Sequence, residues 1–93
     1  MKNLYVLKEN DPELAGLASN GSALLLLQDA IYTLAVDQEL GASLEDRGVE
    51  TYILEADARE RGMEEAIPPW TQRIDYTELV QLIMGKDYKV INL

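Results

Sequence analysis

The sequence predicts one α/β domain with a mainly parallel sheet, and three observations support this fold class. Three apolar runs of four or five residues lie at 4–7, 23–27 and 51–54. Segments with the apolar spacing and the end signals of helices separate these runs. A chain of 93 residues suits one domain with one modest core, so we predict a single domain over residues 1–93.

The apolar runs predict the strands. Polar residues or glycines bound each run, as expected for strands that are buried on both faces of a parallel sheet. Arg73-Ile74 is a weaker fourth run, and the β-rich tail at 88–93 suits a last strand at an edge. The sheet is therefore expected to have four or five strands.

End signals predict the first two helical regions. Asp11 before Pro12 marks a helix start, and Leu14 and Leu17 follow at helical spacing until Asn20-Gly21 stops the helix. A second helical region is expected after Asp29, with a break or bend at Gly41. Its apolar positions are Ile31, Leu34, Ala35, Leu40 and Leu44.

Capping patterns predict the remaining helices. Asp57-x-x-Glu60 and Asp75-x-x-Glu78 are aspartate forms of the capping box. The last helix is expected to bury Leu79, Leu82 and Ile83. Four glycines follow predicted helices, where a left-handed residue commonly ends a helix: Gly21, Gly48, Gly62 and Gly85.

The composition excludes several classes of function. The chain has no Cys, which excludes a thiol nucleophile, a persulfide carrier and thiolate metal sites, and no His, which excludes a His-based triad. Seventeen acidic against eight basic residues give a net charge of −9, which disfavours direct binding to nucleic acids or anionic membranes. We expect a cytoplasmic protein, more consistent with a non-enzyme, that uses no cofactor and no metal.

Ligands of parallel sheets gather at the carboxyl ends of the strands, where Gln28-Asp29 follows the second apolar run. Asp29 is expected to cap the next helix, with ligand contact as the alternative. An acidic stretch follows the third run, but it lacks the spacing of a calcium loop and is interpreted as a solvated face. Its members are Glu55, Asp57, Glu60, Glu64 and Glu65.

Trp70 follows Pro68-Pro69, in a segment that also contains Met63 and Ile67. Tyr and Trp are enriched at interfaces because they combine apolar area with a polar tip. This segment either covers the domain's own core or contacts another subunit. We favour contact with another subunit.

Four segments in order resemble the DsrH/TusB family over nearly the whole chain: LLLLQDAIY at 24–32, VETYIL at 49–54, DARERG at 57–62 and IDYTELV at 74–80. The resemblance implies a DsrEFH-like, three-layer α/β/α sandwich. It also implies a subunit of a sulfur-relay complex, with DsrE/TusD-like and DsrF/TusC-like partners of the same fold. Such complexes pass persulfide sulfur towards 2-thiouridine at the tRNA wobble position or serve sulfur oxidation.

Two departures from the family pattern affect the expected role. Leu14 aligns with a cysteine of sulfur-oxidiser members, and Leu93 stands where relatives often end in a segment with Trp. Leu14 cannot carry a persulfide, so we expect a non-catalytic, accessory subunit. A standalone homo-oligomeric module that binds a ligand or regulates, without sulfur transfer, remains the alternative.

The resemblance also implies a site and an interface. Gln28, Asp29 and Tyr32 match the family's Q/E-D-G-V-Y segment, so they are the expected ligand or partner cleft. Ala30 and Ile31 replace the usual Gly and Val of that segment. The expected contact with a sister subunit consists of Met63, Ile67, Trp70 and Leu93.

Overall fold

A computed structural model describes residues 1–93, which form a five-stranded sheet with all neighbouring strands parallel. The strands are β1 (Lys2–Leu7), β2 (Ala23–Leu26), β3 (Glu50–Leu54), β4 (Gln72–Ile74) and β5 (Tyr88–Asn92). Their order across the sheet is β4-β3-β2-β1-β5. The predicted parallel α/β fold is confirmed, and the tail forms an edge strand beside β1.

Five α-helices cover the sheet: α1 (Pro12–Ala15), α2 (Thr33–Val36), α3 (Gln38–Asp46), α4 (Glu55–Glu60) and α5 (Tyr76–Met84). A 3₁₀ turn, Gln28–Tyr32, precedes α2. The first four helices contribute to the core on one face of the sheet, whereas α5 packs on the other face through Leu79 and Leu82. The domain is therefore a three-layer sandwich. No helix is long and apolar enough to cross a membrane.

The central strands show why an unbroken apolar run marks a parallel strand here. Leu24 and Leu26 of β2 lie in the core beneath α1–α4, and Leu25 lies in the core beneath α5. All three side chains are fully buried. Because both faces of β2 are covered, its sequence shows no alternation of apolar and polar residues.

The first helix is shorter than predicted. Asp11 caps it as expected, because its Oδ1 accepts a 3.1 Å hydrogen bond from the Leu14 N–H. However, α1 ends at Ala15, and Leu17 is exposed. The Arg47 guanidinium donates to the carbonyl oxygens of Gly16 and Ala18, which satisfies backbone groups that no further helical turn satisfies.

The second helical region breaks at Asp37, so the predicted break or bend at Gly41 is wrong. Asp37 caps α3 by accepting a 3.0 Å hydrogen bond from the Leu40 N–H. Gly41 lies inside α3, where a Cβ atom would come within 3.5 Å of the Trp70 ring. The absence of a side chain at Gly41 thus lets the Trp70 segment pack closely on the helix.

Of the two predicted capping boxes, only the second forms. Asp75 and Glu78 make both hydrogen bonds of the box at the start of α5. Asp57 caps no helix, because α4 already begins at Glu55 after β3. Gly21, Gly48 and Gly62 have a positive φ. Gly85 ends α5 as predicted, but with a φ of −70° instead of a left-handed backbone.

Candidate functional site

The turns that follow β2 and β3 are joined at the carboxyl edge of the sheet. Gln28 comes two residues after the end of β2 and has a φ of 51°, in the left-handed region that disfavours residues with a side chain. Its backbone N–H donates a 2.7 Å hydrogen bond to Oδ2 of Asp57, in the first turn of α4. The Asp57 carboxylate therefore ties this strained turn to the start of α4.

Arg61 links the same two turns through its guanidinium group. Its Nε donates to Oδ1 of Asp29 at 3.1 Å, and its Nη1 donates to the carbonyl oxygen of Asp57 at 3.1 Å. The Arg61 side chain is only 19% exposed, whereas that of Asp29 is 69% exposed. Asp29 does not cap a helix as predicted, because Leu27 occupies the cap position without a side-chain bond.

The structure brings Gln28, Asp29 and Tyr32 together in one 3₁₀ turn. Gln28 and Asp29 are exposed and Tyr32 is half-buried, while Ala30 and Ile31 between them point into the core. None of these three expected site residues lines any of the three cavities of the chain. Together with Asp57 and Arg61 they form a polar cluster that contains no thiol and no imidazole.

The carboxylates of the acidic stretch after β3 make separate contacts and do not form one cluster. Nη2 of Arg59 lies 3.7 Å from Oε1 of Glu55, and its Nε lies 3.8 Å from Oε2 of Glu64. The Asp57 carboxylate instead accepts the hydrogen bond from the Gln28 N–H. No group of three or more carboxylates comes close enough to hold a metal ion.

The Trp70 segment packs against the protein's own core. Ile67 is only 5% exposed and belongs to the core itself, whereas Met63, Trp70 and Leu93 are partly buried against it. Part of the Trp70 ring lines a groove of about 510 Å³, together with Leu34, Ala35, Gln38, Gly41, Ala42, Glu45, Ala66 and Pro68. Trp70 therefore covers the core and still offers apolar surface, whereas Ile67 offers almost none.

Helix α5 exposes an apolar stripe that the sequence pattern did not reveal. Four side chains at helical spacing are 36–76% exposed: Tyr76, Val80, Ile83 and Met84. The predicted burial of Ile83 is wrong, and no residue of α5 is fully buried. Because Leu79 and Leu82 already face the sheet, α5 is apolar both towards the sheet and towards the surface. Periodicity alone could not tell which face would be covered.

A second polar cluster lies near the amino ends of the strands, on the α5 face. Lys2 Nζ and Tyr52 Oη donate to the Glu50 carboxylate at 2.6 and 2.8 Å. The hydrogen bond from Lys2, followed by that from Tyr52, lowers the pKa of Glu50, and burial raises the pKa of Tyr52. The Tyr88 hydroxyl lies 3.5 Å from that of Tyr52, which extends the cluster to the edge strand β5.

The structure is that of a small, all-parallel α/β domain with two polar clusters and no sulfur nucleophile of its own. The family described as DsrH like protein matches residues 3–89. The chain therefore belongs to the DsrH family, which confirms the resemblance seen in the sequence.

Individual relatives agree with this assignment. Proteins named Protein TusB from Salmonella arizonae and Salmonella newport are each 38% identical over 71 residues, which cover 76% of this chain and 75% of the relative. The crystal structure of the ychN protein from E. coli covers 100% of both chains, with a TM-score of 0.67 and 17% sequence identity. The last similarity supports the fold. The DsrH/TusB family is part of sulfur-relay systems associated with tRNA thiolation.

Proposed function

We propose that this chain is a non-catalytic subunit of a sulfur-relay complex, which supports persulfide transfer for tRNA wobble-uridine 2-thiolation or related sulfur metabolism. One observation carries the proposal: the chain belongs to the DsrH family and contains no cysteine. A persulfide forms on a thiolate, so the sulfur must reside on another chain. We place the protein in the cytoplasm, where tRNA is thiolated.

We propose DsrE/TusD-like and DsrF/TusC-like chains as partners. The exposed stripe of α5 supports association, because a helix that is apolar on both faces is typical of a buried position. The groove beside the half-buried Trp70 side chain supplies a second apolar surface. Gln28, Asp29 and Tyr32 then form the proposed contact surface for the partner that carries the thiol.

The first test is native purification of the tagged chain from its own host, with mass-spectrometric identification of co-purified proteins. We expect small cysteine-containing chains of similar size. The double variant Val80→Asp, Met84→Asp places charges on the stripe and is expected to lose these partners. Leu17→Asp places a charge on an exposed apolar side chain outside the stripe and outside every cavity, so it is the matched control and should retain them.

Recovery of only the chain itself, as a stable homo-oligomer, would refute the hetero-complex and favour the standalone module. The α5 stripe contains no charged side chain, so a second copy can approach it despite the net charge of −9. Sedimentation of the purified chain distinguishes these cases, because the homo-oligomer should persist without other proteins.

A further inference from the structure

A cavity of about 300 Å³ lies between α5 and the strands on the side of the second polar cluster. Two tyrosines and two side-chain amides contribute polar groups, and Ile74 and Leu82 provide apolar walls. Tyr52 is almost fully buried and Tyr88 is half-buried. The two amides are those of Gln72 and Gln81.

The charged groups of this cavity are all negative. Glu78 and Asp87 line it, and neither takes part in any of the six ion pairs of the chain. The nearby Lys2 ammonium group is bound to Glu50 at 2.6 Å, so its charge is already paired. Two carboxylates beside tyrosine rings favour a cation, because the ring faces also attract positive charge.

The size and the walls of the cavity narrow the class of ligand. About 300 Å³ is at the small end of ligand pockets, which suits one side chain better than a nucleotide. Arg and Lys side chains carry a charged head on an aliphatic stem, and Ile74 and Leu82 can pack against such a stem. The hydroxyl and amide oxygens can accept its hydrogen bonds.

We propose that this cavity binds a basic side chain, Arg or Lys, projecting from a protein partner. A protein source is favoured because the same helix exposes the apolar stripe Tyr76, Val80, Ile83 and Met84, which a small free cation would leave uncovered. The proposal does not depend on a sulfur-relay role, since any partner with a projecting basic residue satisfies it.

The test is an NMR titration of the ¹⁵N-labelled chain with N-acetyl-arginine amide, compared with N-acetyl-citrulline amide, an uncharged molecule of nearly the same shape. We expect saturable shifts at the amides of Tyr52, Gln81 and Tyr88, with the citrulline probe binding at least about tenfold more weakly. Equal binding of the two probes would overturn the proposal. Tighter binding of putrescine than of the arginine probe would overturn the protein source.

Variants test whether the cavity itself is responsible. Glu78→Gln with Asp87→Asn is expected to weaken binding of the arginine probe about tenfold, and Gln can still accept the capping bond from the Asp75 N–H. Glu64→Gln with Glu65→Gln removes the same charge from a different surface depression and should leave binding unchanged. An equal loss in both double variants would indicate unspecific attraction to an acidic protein and would refute the site.

Discussion

The backbone N–H of Gln28 donates a 2.7 Å hydrogen bond to Oδ2 of Asp57, which joins the turns after two adjacent strands. The left-handed backbone at Gln28 costs about 1–2 kcal/mol for a residue with a side chain. A hydrogen bond to a carboxylate is stronger than one between neutral groups and offsets part of this cost. The shape of the candidate site thus depends on a contact between residues 29 positions apart in the chain.

Substitution of Gln28 tests the strained turn. Gln28→Val is expected to lower the free energy of unfolding by about 1–2 kcal/mol, because a β-branched side chain fits the left-handed region poorly. Gln28→Gly removes the steric conflict and should not destabilise the protein. Urea unfolding followed by the fluorescence of Trp70, the single tryptophan, measures both. Equal stability of the Val and Gly variants would contradict the left-handed turn.

Removal of the Asp57 carboxylate is expected to loosen the site. Asp57→Ala leaves the Gln28 N–H without its acceptor and takes an anion from the poorly exposed Arg61. We expect a loss of about 1–3 kcal/mol in the free energy of unfolding. Glu60→Ala is the matched control, because it also removes a carboxylate near Arg61, at 3.7 Å, but one that is 72% exposed and accepts no hydrogen bond from the Gln28 turn. Its substitution should change stability by less than about 0.5 kcal/mol. If the two variants behave alike, Asp57 does not hold the turn.

The sheet could be predicted because its signal is local. Apolar runs such as residues 23–27 need no distant partner to be recognised as strands buried on both faces. The caps at Asp11 and Asp75 are equally local, since each accepts from an N–H three residues ahead. Strands and caps of this kind can be predicted from a few consecutive residues.

The candidate site depends on long-range contacts, and the helix caps predicted for its aspartates were wrong. Asp29 and Asp57 both match an N-cap pattern, yet Asp29 binds Arg61, 32 residues away, and Asp57 binds Gln28. The two arginines within the acidic stretch, Arg59 and Arg61, were the available signal, because cations among carboxylates indicate ion pairs there. The α5 stripe was missed because apolar residues on both faces leave the periodicity ambiguous.

The Lys2–Glu50–Tyr52 cluster predicts a pH-dependent contribution to stability. The pKa of Glu50 is below its ordinary value of 4.5 because its carboxylate accepts hydrogen bonds from Lys2 and then Tyr52. The ionised form therefore stabilises the folded state above pH 4.5, and this contribution is lost as the pH falls through the lowered pKa. Glu50 is 36% exposed, so solvent screening limits the effect to below about 1 kcal/mol.

The variant Glu50→Gln isolates that contribution from the other sixteen acidic residues. We expect wild type to be more stable than the variant near pH 7, and the difference to shrink towards zero below pH 4.5. Urea unfolding of both proteins at pH 7, 5 and 3 provides the comparison. A variant as stable as wild type near pH 7 would show that the charge of Glu50 plays no part.

Gly85 ends α5 with a φ of −70°, which any residue can adopt, so backbone strain does not explain the glycine. A Cβ atom there would instead clash with the carbonyl oxygen of Gln81, which accepts the Gly85 N–H at 2.9 Å. Gly85→Ala is therefore expected to break the last turn of α5 and to lower the free energy of unfolding by about 1–3 kcal/mol. Lys86→Ala, at the next exposed position, should stay within about 0.5 kcal/mol of wild type.

Hydrogen exchange shows whether the damage at Gly85 is local. In Gly85→Ala, protection is expected to fall first for the amides of the last turn of α5, including Met84 of the exposed stripe, while β1 and β2 remain protected. Since this turn carries Met84, the same variant should also weaken the association proposed for the stripe. Unchanged exchange together with wild-type stability would mean that the helix end accommodates a methyl group, and glycine would not be required there.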